Sequence, residues 1–333
     1  MLARLARSTV VLCWLVAWII ATAAAATSII TVDLPDWVAV ACGGTVTVLH
    51  LCALAHRAGA RTWLWTVLGA LGTAAALASD RAWALSSVSV LSAVVSGVVA
   101  VLLTRPAATA WRSLVEYVVA LLVASAGAVA VAGINAPVRP ERYSLVVAGL
   151  ALLLAVVLVW PLGADLHGLG RGGLAVILGG AALAIGLLVY AEALRTYGSP
   201  AIVHRFDETV DWLTDNLHGV PKPVEALVGF PALVWGIGTR AWRRQGWWLC
   251  VLGVLGTATL AASLGSPRRD PELAALSAAY SAAIGAVLGL LVLRTDVLVT
   301  RHRERRGGTG RRALRTDEVS LIRPEPGRSR PLD

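Results

Sequence analysis

Only 15% of the 333 residues are charged while 57% are hydrophobic, and the mean hydropathy is +0.72. A soluble chain carries about 25% charged residues, so this composition excludes a water-exposed globule. The net charge of +9 does not point to nucleic acid, because the basic residues, all arginine except Lys222, lie between apolar runs and in one tail rather than on a soluble face.

Apolar runs long enough to cross a hydrocarbon core of about 30 Å lie at 8–31, 37–56, 62–79, 82–104, 113–134, 143–162, 172–194, 246–265 and 273–293. A shorter run at 224–239 brings the count to ten. The 32 glycines and abundant alanine suit helices that approach closely in lipid. The expected fold is an all-α, polytopic transmembrane bundle of about ten spans with one extracytoplasmic amphipathic helix.

The first run follows Arg4 and Arg7 and is apolar from Val10 to Ile20, with Ala24, Ala25 and Ala26 beyond, which has the form of a secretory signal. It continues to Val32, longer than a typical signal core, so a retained first helix is expected; cleavage leaves nine spans. In the second run His50 sits with Cys42 and Cys52, and is read as a hydrogen-bonded neutral histidine at a helix contact, with a ligand or relay role as the alternative. The four cysteines, Cys13, Cys42, Cys52 and Cys250, lack metal or redox spacing and are read as free thiols. Ser89, Ser92, Ser96 and Gly97 form a small-residue face on the fourth run, suited to packing or to lining a narrow polar path. Glu116, one turn beyond Arg112, reads as an interfacial ion pair.

Asp165, His167 and Arg171, set among Gly163, Gly168 and Gly170, form the one loop suited to a phosphorylated lipid head. An Asp-x-His pair alone defines no enzyme. No HExxH, GxSxG or phosphate-binding glycine loop occurs, so no catalytic residue and no cofactor is assigned.

The loop at 195–223 holds a helix that starts at Ser199-Pro200 and stops at Gly219 and Pro221. Phe206, Val210, Leu213 and Leu217 make its apolar face, and His204, Asp207, Asp211, Asp215 and His218 project from the other. The plainer reading is an interfacial helix with its charged face in water. The sharper one is that these five residues bind a divalent cation or a cationic substrate group, or that His204 and His218 sense external pH.

The short run contains Phe230-Pro231, Gly229, Gly236 and Gly238. A full but broken span is expected, because a re-entrant loop would carry Arg240, Arg243, Arg244 and the tail to the wrong side. It is the best place for irregular backbone at a binding site. A cavity is expected beside Phe230, Pro231 and Trp235, with His50 added as its deepest ionisable group. Residues 63–74 also resemble 247–258, which raises the question of parallel repeats.

Past Thr300 the chain is polybasic, and Arg301, Arg303, Arg305, Arg306, Arg311 and Arg312 are expected to meet anionic headgroups from a disordered tail. Phosphorylation of Thr316 would weaken that attraction. Alternate loops are basic throughout, from Arg4 and Arg7 to the arginines after Arg294, which puts both termini in the cytoplasm of a cell (inner) membrane protein. The organisation is then spans 1–7 over 1–194, the external loop 195–223, spans 8–10 over 224–300 and the tail 301–333. Expected partners are membrane lipids and a further protein, with no nucleic acid. The functional expectation is a transporter or exporter of a small or lipophilic solute that works without a buried ion-coupling charge, since no Asp, Glu, Lys or Arg occupies the centre of a run. The alternative is a non-enzymatic scaffold or accessory subunit of an envelope-assembly complex, and a lipid-modifying enzyme comes third.

Overall fold

The computed structural model describes residues 2–30, 35–79, 81–159, 200–242, 246–265 and 270–307, with isolated positions between 175 and 186. The expected seventh span, the loop holding Asp165, His167 and Arg171, and the tail with Arg311, Arg312 and Thr316 lie outside that set. The described residues are helical and contain no strand. In order they form α1 (Leu2–Ala25), α2 (Asp36–Arg57), α3 (Thr62–Ser79), α4 (Ala82–Leu102), α5 (Ala110–Ile134), α6 (Pro140–Val159), α7 (Pro200–Leu217), a π-helical turn (Val224–Gly229), α8 (Phe230–Arg240), α9 (Gly246–Ala261) and α10 (Pro271–Gly307).

Local chemistry sets the ends. The Thr109 hydroxyl accepts from the Arg112 amide to open α5, and Asn135 in the left-handed region, φ 49°, closes it. Pro200 takes the first position of α7, and His218 at φ 51° ends it. Arginine and glutamate are good helix formers, so α10 continues through Gly307. The helix thus runs seven residues into the segment 301–333 expected to be disordered.

Seven helices, α1 to α6 and α10, are long and apolar enough to cross a membrane. α9 is apolar but has 16 residues. The outer surface matches that reading: Leu12, Ile19, Leu71, Leu122, Leu153 and Val287 are each more than half exposed, a cost in water and none in lipid. Exposed tryptophans gather at two levels. Trp63, Trp65, Trp111 and Trp242 sit beside the arginines at what we term the basic end, and Trp37 and Trp83 sit at the opposite end. Amphipathic indoles favour the two membrane interfaces, and the 18 residues of α3 separate the levels by ~27 Å.

The core is built on α4, α5, α8 and α9, with Val95, Val98, Phe230, Leu233, Ile237, Val251 and Val254 among its buried side chains. By contrast only 6% of α3 is buried. The similar segments 63–74 and 247–258 therefore have different surroundings: Trp63 and Trp65 are exposed, whereas Trp247 and Trp248 are buried.

Helix approach at the centre depends on absent side chains. A Cβ on Gly97 of α4 would collide with the backbone of Ala258 on α9, and one on Gly229 would collide with the Gly256 backbone. Close backbone approach is what holds helices together when lipid is as apolar as leucine. Gly97→Ala should accordingly lower the melting temperature in detergent, by an overpacking cost of about 1–3 kcal/mol. Gly149→Ala, where a Cβ meets nothing within 4 Å, should not. Equal melting temperatures for the two variants would refute this packing.

Candidate functional site

The first polar region is a seam through α1, α2, α4, α6 and α9. The Trp18 indole donates to His50 Nε2 at 2.8 Å, and His50 Nδ1 lies 2.7 Å from Ser96 Oγ. An indole N–H only donates, so Nε2 accepts and the proton resides on Nδ1, shared with Ser96. One turn earlier, Thr47 Oγ1 donates to Ser92 Oγ at 2.9 Å. Ser89 meets the Tyr143 hydroxyl of α6, also at 2.9 Å, and Thr257 of α9 donates to the Gly97 carbonyl at 2.8 Å. The serine face of α4 is thus consumed by interhelical bonds and works as packing glue, leaving no open polar path along it.

The second region is the discontinuity before α8. The chain leaves α7 and runs irregularly beside α10: the Val220 amide donates to Ser277 Oγ at 2.9 Å, and the Lys222 amide to Ser281 Oγ at 2.8 Å. Ser281 lies about ten residues along α10, ~15 Å from its first residue, so this non-helical backbone sits at that level beside α10, with Gly219 buried, Val220, Pro221 and Lys222 half-buried and Pro223 exposed. Pro221 and Pro223 have no amide hydrogen to donate to a helix there. The hydroxyls of α10 satisfy the amides between them. Helix resumes as the π-helical turn, in which the Phe230 amide bonds the Glu225 carbonyl five residues back. Such turns recur at functional sites.

Glu225 on that turn is fully buried. Its Oε1 is 3.2 Å from Lys222 Nζ, the lysine being one-third exposed, and its Oε2 has no hydrogen-bond partner. Tyr117 of α5 is within electrostatic reach, donates to the Ala282 carbonyl at 2.9 Å and meets the Phe230 ring edge-on. Burying a carboxylate is costly without full pairing, and ionisable groups at such depth mark functional sites by default. Glu225 is a buried acid at the start of the short run 224–239, whereas the sequence showed none at the centre of a span. The sequence places Glu225 at the margin of a short run, and only its register against Ser277 and Ser281 reveals the depth.

The third region closes the basic end. Arg57 Nε donates to the Leu102 carbonyl at 2.9 Å and Arg240 Nη2 to the Thr104 carbonyl at 2.8 Å. Both guanidinium groups lie over the Trp247 ring, Arg240 at 4.2 Å from its centre. Two cations therefore cover the carboxyl end of α4, where carbonyls and the helix dipole favour positive charge. A small groove nearby, about 320 Å³, is lined by Ala107, Thr109, Gly238, Trp242, Leu293 and Val297.

These geometries distribute the expected site residues as follows. Phe230 and Pro231 are buried against Gly285 and Gly289 of α10, and Trp235 donates to Asp296 at 3.3 Å. His50 belongs to the separate α1–α2–α4 seam. On α7, His204 is exposed and contacts Glu208 at 3.1 Å, Asp211 and Asp215 are exposed, and the His218 side chain turns back on the Thr214 carbonyl. The Asp207 side chain is outside the described set, and no group of three His, Cys, Asp or Glu among the described residues is arranged to hold a metal. Glu116 accepts from the Arg105 amide at 2.7 Å in place of the expected ion pair with Arg112. Cys13, Cys42, Cys52 and Cys250 form no disulfide. Arg301, Arg303, Arg305 and Arg306 lie on the helical extension of α10, their side chains outside the described set. Comparison with protein-family models, curated proteins and solved structures gave no match.

The seam makes a direct prediction. Trp18→Phe keeps the aromatic bulk but removes the only donor to His50 Nε2, and should cost about 1–2 kcal/mol, read as a lower melting temperature in detergent. An unchanged value would show that the bond carries no stability.

Proposed function

We propose that this chain is a multi-pass transporter of a small solute, with ten crossings and both termini in the cytoplasm of a cell membrane. The observation that carries the reading is the irregular segment Gly219–Pro223 and the π-helical turn after it, held beside α10 with a buried carboxylate. Irregular backbone at membrane depth is tolerated where it is enclosed by protein or lines a cavity, and transporters place substrate sites at such broken helices. The seam and the glycine contacts would form the rigid frame, and the segment 219–229 the part that changes access.

A second reading, a scaffold or accessory subunit, is favoured by α7. Among the described residues its bond to the bundle is at its end, where Tyr280 donates to the Leu217 carbonyl at 2.9 Å, and Trp212 on its body is exposed. A helix held by one end with a bare indole suits a protein partner or a lipid surface. The arginines after Thr300 extend the lipid contact to the tail. Binding of a tail peptide to phosphatidylserine vesicles should weaken steeply with added salt, at about 1 kcal/mol per arginine engaged; salt-independent binding would remove that contact.

Cysteine accessibility separates the two main readings. In a variant with Cys13, Cys42, Cys52 and Cys250 replaced by alanine, Ala226→Cys places one thiol on the buried π-helical turn. Transport predicts that a membrane-impermeant maleimide applied from either face of oriented vesicles labels a substantial fraction of the protein. A thiol that stays unlabelled, or reacts from one face alone, together with a stoichiometric partner lost in Trp212→Ala, would favour the scaffold.

A further inference from the structure

The geometry points to Glu225 Oε2 as the binding point of a small monovalent cation, a proton or a sodium ion, which displaces Lys222 from the carboxylate. Three observations converge on it. The carboxylate is fully buried with one oxygen paired and the other without a partner, so the site has an acceptor facing the protein interior. The paired oxygen is held by a side chain that is itself one-third exposed, so the ammonium can withdraw to a polar medium at modest cost while Glu225 stays behind. The backbone carrying both is pinned to Ser277 and Ser281, which leaves side-chain exchange as the available motion.

Charge selects the cation. Once Lys222 has left, one carboxylate neutralises one positive charge, and a divalent ion would keep an uncompensated charge in a low-dielectric site. Among the described residues the surroundings supply no second acid. Lys222 and Tyr117 face Glu225, and α10 contributes the Ser277 and Ser281 hydroxyls and Tyr280, whose proton goes to Leu217. α9 carries no charged residue, and α6 packs on the turn through Ala148 and Leu152. The identity of the basic partner matters as well. Lys222 is the one lysine among 29 lysines and arginines, and an ammonium, unlike a guanidinium, is a compact group that changes partners and gives up its proton when desolvated. The inference rests on the transport reading for its consequence, that cation entry frees the segment to move, and not for the existence of the site.

The test uses the full chain in detergent or vesicles and dicyclohexylcarbodiimide, an apolar reagent that modifies protonated buried carboxyl groups, with the modified residue located by peptide mass spectrometry. Reaction at Glu225 should rise with proton concentration, and a sodium ion, if that is the natural occupant, should suppress it at constant pH while potassium does not. Lys222→Gln removes the competing ammonium and should lower the cation concentration for half effect about tenfold or more, because the entering cation no longer has a charge to displace. Lys222→Arg should raise it. Glu225→Gln should abolish the labelled peptide, and the two lysine variants keep the test intact if that protein does not fold. Labelling of Glu225 that is absent under all conditions, or that ignores pH, sodium and both lysine variants, would overturn the proposal. One-sided accessibility of Ala226→Cys combined with cation-dependent labelling would leave the site standing and remove transport.

Discussion

Hydrocarbon supplies no water to complete a polar group's hydrogen bonds, so the polar side chains at the centre of this bundle find partners on other helices. His50 is tied to α1 and α4, Ser92 to α2, Ser89 to α6, and Thr257 to α4. Those bonds are short only because small residues let the backbones meet. Gly97 against Ala258 brings the α4 carbonyl within reach of Thr257, and Gly127 against Ser96 brings α5 onto the same seam. Packing and polar pairing are therefore one device here.

Against that background the discontinuity before α8 is the exception. The irregular stretch would leave two half-buried amides unbonded, and α10 prevents it with two hydroxyls spaced one turn apart. The segment is thereby fixed where it enters, and Phe230, wedged among Gly285, Gly256 and Tyr117, fixes it where helix resumes. Between these two anchors lie Lys222 and Glu225. Thr73 and Trp248 also hold buried polar atoms without a hydrogen bond, but Glu225 is the acid among them, and a buried carboxylate with one oxygen unpaired is where function is expected.

Much of the architecture was legible in the chain. Runs of apolar residues are long because the hydrocarbon is thick, and the helices α2, α3 and α4 begin or end within two residues of the runs at 37–56, 62–79 and 82–104. The start of α7 followed from Pro200, and its end near Gly219 from the turn chemistry there. Less legible was depth. Arg57 and Arg240 read as loop residues because charge normally marks a loop, yet each folds back to cover the carbonyls ending α4 against Trp247. Glu225, second in the apolar run 224–239, gave by itself no sign of its depth. Its signal was present as a Lys-x-x-Glu spacing, one helical turn, between prolines, but a one-dimensional window cannot tell that the turn lies beside the middle of α10.

The two ends of α8 show how the same physics gives opposite results. At the basic end the charges sit on long side chains that reach carbonyls and an indole face close to the helix terminus, so cations there are compensated by groups that are always present. At the other end the charge sits on a short glutamate, whose carboxylate cannot extend to solvent and whose partner is a lysine that can. The compensation at Glu225 is thus removable from one side only. A helix fixed by permanent contacts at Arg240 and by an exchangeable one at Glu225 is stiff at one end and conditional at the other. It is the conditional end that adjoins the irregular backbone.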